Sequence, residues 1–146
     1  MELLREKTPL RGAGGLVFSV LLAAGGLVGC GTLESPTGIC AFEALEPIEQ
    51  FPDVVGTGSY GCRGVQSVEV VTKAQRLVDG SWQTRESSTV RSFSVVDEQQ
   101  NNLRVEAFCE DGQWRTVVEL TGLDIQGVPL SEGVDTVVSD SVRISC

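Results

Sequence analysis

The stretch LRVEAFCEDGQWRTVVEL, residues 103–120, decides the fold class. Leu103, Val105, Ala107 and Cys109 alternate with Arg104 and Glu106. After Asp111-Gly112, Trp114, Thr116, Val118 and Leu120 alternate with Arg115, Glu119 and Thr121, with Val117 the exception. A period of two turns one face of an extended chain inward and leaves the other wet, whereas a helix would repeat every three to four residues. Two half-buried strands are therefore expected, with Asp111-Gly112 as a hairpin turn between them.

The same pattern recurs in both directions. Val68, Val70, Thr72 and Ala74 alternate with Glu69, Lys73 and Gln75, Val71 breaking the phase. Val142, Ile144 and Cys146 alternate with Arg143 and Ser145, Asp79-Gly80 is a second hairpin signal, and DEQQNN (97–102) is a polar loop. The sum is an all-β domain, most simply a two-sheet antiparallel sandwich. Residues 40–55, CAFEALEPIEQFPDVV, fit less well. Phe42, Leu45, Ile48 and Phe51 recur every three residues, but Pro47 and Pro52 forbid one continuous helix. A short helical turn or an irregular strap over the core is expected there.

The N-terminus is of another kind. Arg5, Lys7 and Arg11 precede an uncharged run, residues 12–29, with an apolar centre at 16–24 and small residues at its end. That is the build of a secretory signal peptide. Leu27-Val28-Gly29-Cys30 resembles the lipobox of bacterial lipoproteins, in which the chain is cut before the cysteine and the thiol takes a diacylglyceryl group. The resemblance implies a signal peptide over 1–29, lipidated Cys30 and a tether over 30–38, and a β-sandwich domain over 39–146. It places the domain at the extracytoplasmic face of a bacterial membrane. Two alternatives stand: a cut near Ala23-Ala24-Gly25, giving a secreted chain, or an uncleaved anchor helix over residues 12–33. That span holds 22 residues, long enough to cross a bilayer but rich in glycine.

Five cysteines, Cys30, Cys40, Cys62, Cys109 and Cys146, support the lipid reading by parity, since acylation of Cys30 leaves four to pair in an oxidising compartment. The expected pairing is Cys62–Cys109 across the sheets and Cys40–Cys146 joining the ends, worth about 4 and 5 kcal/mol of chain entropy. Cys40–Cys62 with Cys109–Cys146 is the rival.

GTGSYGC (56–62), DGSW (79–82), CEDGQWRT (109–116) and the final VRISC are together similar to small exported β-domains of high-GC Gram-positive bacteria. The likeness implies export and a β fold, without an activity. Cys62, Trp82 and Cys109 also resemble the Cys–Trp–Cys core of immunoglobulin domains, although Trp82 comes late after Cys62 and Ala107 stands where a tyrosine corner would need Tyr. That resemblance implies a sandwich, loosely immunoglobulin-like. DGSWQT (79–84) and DGQWRT (111–116) repeat D-G-x-W-x-T around the only two tryptophans. Exposed, the pair would stack on a sugar or other ligand; both are expected in the core, where aromatic burial counts most, more firmly for Trp114 than for Trp82.

Composition closes several function classes. Without residues 1–29, eight basic and eighteen acidic residues remain, a balance that opposes nucleic acid and anionic lipid alike. The 146-residue chain has no histidine, which removes His-based triads and imidazole zinc sites. Lys73, the only lysine after the signal, sits mid-strand, where a Ser–Lys dyad is not expected. Gly56-Thr57-Gly58-Ser59-Tyr60-Gly61 spells G-x-G-x-x-G, but the strand that follows is no phosphate-binding helix. Nor does Ser59 sit in a nucleophile elbow, since Thr57 takes the first glycine's place. Carboxylates cluster at Glu43, Glu46, Glu49 and Asp53, and again at Asp124, Glu132, Asp135 and Asp140. Such groups can hold calcium or run glycoside hydrolysis, but most acids are solvated surface and no cofactor or metal is expected. The expected function is a lipid-anchored surface module that binds an extracytoplasmic protein or glycan, through Glu43, Glu46, Glu49 and Asp53 or the DEQQNN loop. A small envelope-acting enzyme using the clustered acids, or an envelope-blocking inhibitor, is the alternative.

Overall fold

The computed structural model describes residues 29–95 and 100–146, with Ser94 and Val95 as backbone only. The expected signal segment ahead of Gly29, and residues 97–99 of the DEQQNN loop, lie outside the described residues. The described chain is all-β: β1 (Gly29–Glu34), β2 (Ile39–Gln50), β3 (Asp53–Arg63), β4 (Val65–Val78), β5 (Ser81–Val95), β6 (Asn101–Phe108), β7 (Gly112–Asp124), β8 (Asp135–Val138) and β9 (Val142–Ile144). Sheet A runs β1-β2-β3-β6 and sheet B runs β5-β4-β7-β8, all antiparallel, with β9 also on β7. The two sheets make the expected sandwich.

Three of the four alternations place their residues as read; in the fourth Ile144 is buried, Val142 only partly so, and Cys146 is exposed beyond the end of its strand. Val68, Val70, Thr72 and Ala74 of β4, Leu103, Val105 and Ala107 of β6, and Trp114, Thr116, Val118 and Leu120 of β7 are all buried between the sheets. One core cluster gathers Phe42, Tyr60, Val68, Leu103 and Leu120; the other surrounds Trp114 with Val54, Ala74, Val105 and Ile144. Gly56 and Gly58 face inward in β3, and a Cβ on Gly56 would lie 3.0 Å from the Thr116 hydroxyl. The G-x-G pair is thus a packing device that lets sheet A approach Thr116 and Val118.

Three connections, β3–β4, β5–β6 and β6–β7, pass from one sheet to the other, and the first and last lie wholly within the described residues. Gly64 turns the chain from β3 into β4 with φ 66°, and a Cβ there would collide with the Thr37 carbonyl. Only glycine fits that corner. Asp79-Gly80 is the expected hairpin, with φ of 49° and 78°. Asp111-Gly112 is not: β6 and β7 belong to different sheets, and the pair carries the chain between them. Arg76 Nε donates to the Asp111 carbonyl at 2.9 Å, and Asp111 Oδ1 accepts the Cys146 N–H at 2.6 Å, fixing this last crossover.

Residues 40–55 differ from expectation. They form β2 and the start of β3, with Cys40, Phe42 and Ala44 buried at a period of two. A bulge between Leu45 and Ile48 then shifts the register and takes in Pro47, where no ladder bond is required. Ile48 and Phe51, read as core, are exposed. The expected tether is likewise partly a strand: β1 pairs with β2 from Gly29↔Ala44 to Glu34↔Ile39. Because β1 takes up 29–33, the uncleaved-anchor alternative keeps only residues 12–28 of its 22-residue span.

The bridges are Cys40–Cys62 and Cys109–Cys146, the rival pairing rather than the favoured one. Cys40 and Cys62 are direct partners in the β2–β3 ladder, with Cα atoms 4.1 Å apart. Cys109 donates its N–H to Pro52 at the far end of β3, ten residues from Cys62 and about 30 Å along an extended strand. No disulfide spans that gap. The immunoglobulin-type pin is therefore not built, and the core indole is Trp114 instead of Trp82.

Candidate functional site

The outer face of sheet B carries a groove of about 550 Å³. Its floor comes from three neighbouring strands: Leu123 of β7, Ser67 of β4 and Phe93 of β5 form one row, and Thr121, Glu69 and Arg91 the next. Alternation sends these side chains outward, opposite the buried Val68 and Leu120. Pro129 and residues 131–134 of the β7–β8 connection stand as its wall.

That wall is held from below. Leu130 is buried and donates its N–H to the Gly122 carbonyl at 2.9 Å, while Leu123 and Pro129 form a bridge. Asp124 is buried and organises the turn, its Oδ1 accepting the N–H groups of Gln126 and Val128 at 2.9 Å each. Ser35 Oγ donates to Asp124 Oδ2 at 2.8 Å, stapling the turn to the β1–β2 connection. Burial alone would raise this carboxyl's pKa; the donors from Val128, Ser35 and Gln126 outweigh it and hold the carboxylate below its usual range.

Chemically the groove is an apolar seat with a polar rim. Phe93 is 75% exposed and Val134 57%, far more than a sheet face needs for its own packing. Arg91 donates from Nε to Glu69 Oε2, a surface ion pair beside the apolar floor. Such a site suits an apolar side chain with a hydrogen-bonding neighbour.

The acids expected as a contact surface do not converge. Glu43 accepts from Ser59 Oγ at 2.7 Å on the outer face of sheet A, and Glu46 lies in the bulge. Glu49 pairs with Val54, and Asp53 lies between Gln50 and Phe108 in the ladder. The second acidic group is also dispersed: Asp124 is locked in its turn, Glu132 rims the groove, Asp135 opens β8, and Asp140 lies in the connection from β8 to β9. Among the described residues no three His, Cys, Asp or Glu side chains could hold a metal ion.

Cys30 is exposed on the outer face of sheet A, opposite Glu43, with its thiol outside either disulfide. Lys73 donates to Glu119 Oε1 at 2.7 Å. The two D-G-x-W-x-T copies diverge: Trp114 is fully buried and donates Nε1–H to the Glu110 carbonyl at 2.8 Å. Trp82 is half-buried on the outer face of sheet B, with the Arg115 guanidinium 4.3 Å from its ring. From the DEQQNN loop, Gln100 Nε2 donates to Ser59 Oγ at 3.1 Å. The groove itself was missed by sequence reading. Its one local signal was Phe93, an aromatic among serines in RSFSV. No family model, no curated protein and no solved structure matches this chain.

Proposed function

We propose that this chain is an exported sandwich, anchored through Cys30 at the extracytoplasmic face of a bacterial membrane, that binds a protein partner by an apolar side chain. The observation that carries the reading is the groove at Phe93, Leu123 and Val134: an open seat lined by exposed apolar side chains on the outer face of sheet B. Two disulfides agree with an oxidising compartment. A protein partner is favoured over a glycan because the apolar floor is flanked by an ion pair, and the one outward indole, Trp82, is already covered by Arg115. The acids read at first as the contact surface are spread over different rows of β2 and β3 and make no single patch.

The test is site-specific photocrosslinking on intact cells, with the reactive side chain at position 93 or at position 43. The reading expects a discrete adduct from position 93 that Leu123→Ser reduces tenfold or more, the cost of losing one central apolar anchor. An adduct from position 43 and none from 93 would move the contact surface to sheet A and sink the groove.

A further inference from the structure

We infer that the outer face of sheet A rests on the bilayer surface and that Phe108 and Phe51 enter its interfacial layer. This rests on the anchored reading above and adds an orientation to it. Two observations meet on this face. Cys30 projects from it and is fixed in the ladder opposite Glu43, so most of the expected linker is rigid sheet. A glyceryl group reaches only about 5 Å beyond a sulfur at ordinary bond lengths, so an acyl chain on Cys30 brings the bilayer to this side.

The same face exposes apolar side chains that the fold does not use. On this face Phe108 is 74% exposed and Ile48 49%, and Phe51, in the β2–β3 turn two residues before Asp53, is 76% exposed. The register puts Ile48 outward with Val55, and Phe108 outward with Asp53. Phe108 lies six residues beyond the Cys30–Glu43–Ser59 row, about 20 Å along the strands. Exposed aromatics that far from a short lipid anchor supply the second contact that one acyl attachment needs for stable seating. The groove at Phe93 is then turned away from the membrane, on the opposite face of the sandwich. Glu34, Glu43, Asp53 and Glu106 outnumber Arg63 and Arg104 on the membrane-facing side, so the preferred surface is zwitterionic, not anionic.

The experiment places the intact protein, as extracted from the membrane, in phosphatidylcholine vesicles containing brominated acyl chains, and compares the native chain with F108W. Intact mass and vesicle flotation are read on the same samples. The native tryptophans, one in the core and one on sheet B, are expected to keep their emission, while F108W gains a component quenched by half or more. F51W reads the same contact if F108W fails to fold. Floating, acylated protein whose F108W and F51W emission is unquenched overturns the orientation and leaves the anchored reading standing. An unacylated chain that does not float overturns both.

Discussion

The two D-G-x-W-x-T copies allow a stability comparison in which local sequence nearly cancels. Trp114→Ala removes a fully buried indole and its Nε1–H bond to Glu110. A buried tryptophan hides about 200 Å² of side chain, which at about 25 cal/mol per Å² corresponds to about 5 kcal/mol. Measured aromatic-to-alanine losses in cores are about 3–5 kcal/mol. At about 4 °C per kcal/mol for a domain of this size, Tm falls by about 12–20 °C. Trp82→Ala removes a half-buried ring and one cation–π contact with Arg115. That costs about 1 kcal/mol, or about 4 °C. The assay is thermal unfolding followed by far-ultraviolet circular dichroism, which does not depend on the deleted indole. Equal losses, or a larger loss for Trp82→Ala, would refute the placement of the two rings on opposite sides of sheet B.

Three further outcomes are expected. Graded reduction followed by peptide mapping opens Cys109–Cys146 before Cys40–Cys62, because Cys146 is exposed whereas Cys40 and Cys62 are buried; the reverse order would contradict the packing. Asp124 has a lowered pKa, so its contribution to stability is full above the unfolded value of about 3.9 and is lost as pH falls through the folded one; Asp124→Asn flattens that acid limb of a pH-resolved melt, and an unchanged limb would contradict it. Gly64→Ala costs at least about 2 kcal/mol in urea titration, since a left-handed alanine also meets the Thr37 carbonyl, whereas Gly80→Ala, with open space around it, costs about 1 kcal/mol; equal costs would rule out the close approach at Gly64.

Strands whose one face is buried were legible because their side chains alternate: Leu103 to Ala107, Trp114 to Leu120 and Val68 to Ala74 declare themselves. β2 was not, because the bulge between Leu45 and Ile48 breaks the period midway. The surviving i, i+3 spacing of Phe42, Leu45, Ile48 and Phe51 then imitates a helix face. The disulfide pairing depends on which cysteines the ladder sets opposite each other, and that register is a property of the paired strands. Asp111-Gly112 carries a hairpin composition, yet the bonds from Arg76 and Cys146 hold it as a crossover. The groove unites Ser67, Phe93, Leu123 and Val134, residues from three strands and a connection, so no local window contains it. Of the acids noticed in sequence, Asp124 proved to be a buried turn-former, a role that follows from the donors aimed at it.

The central claim is that the sandwich is displayed on a membrane through Cys30 with its groove free. The most direct test is the intact mass of the membrane-fraction protein, with and without reduction, beside Cys30→Ser. The account predicts a chain starting at Cys30 with added diacylglyceryl mass, gaining the hydrogens of two disulfides on reduction, and loss of the anchored form in Cys30→Ser. A membrane-bound chain with a free Cys30 thiol, or a soluble chain cut upstream of it, would contradict the account.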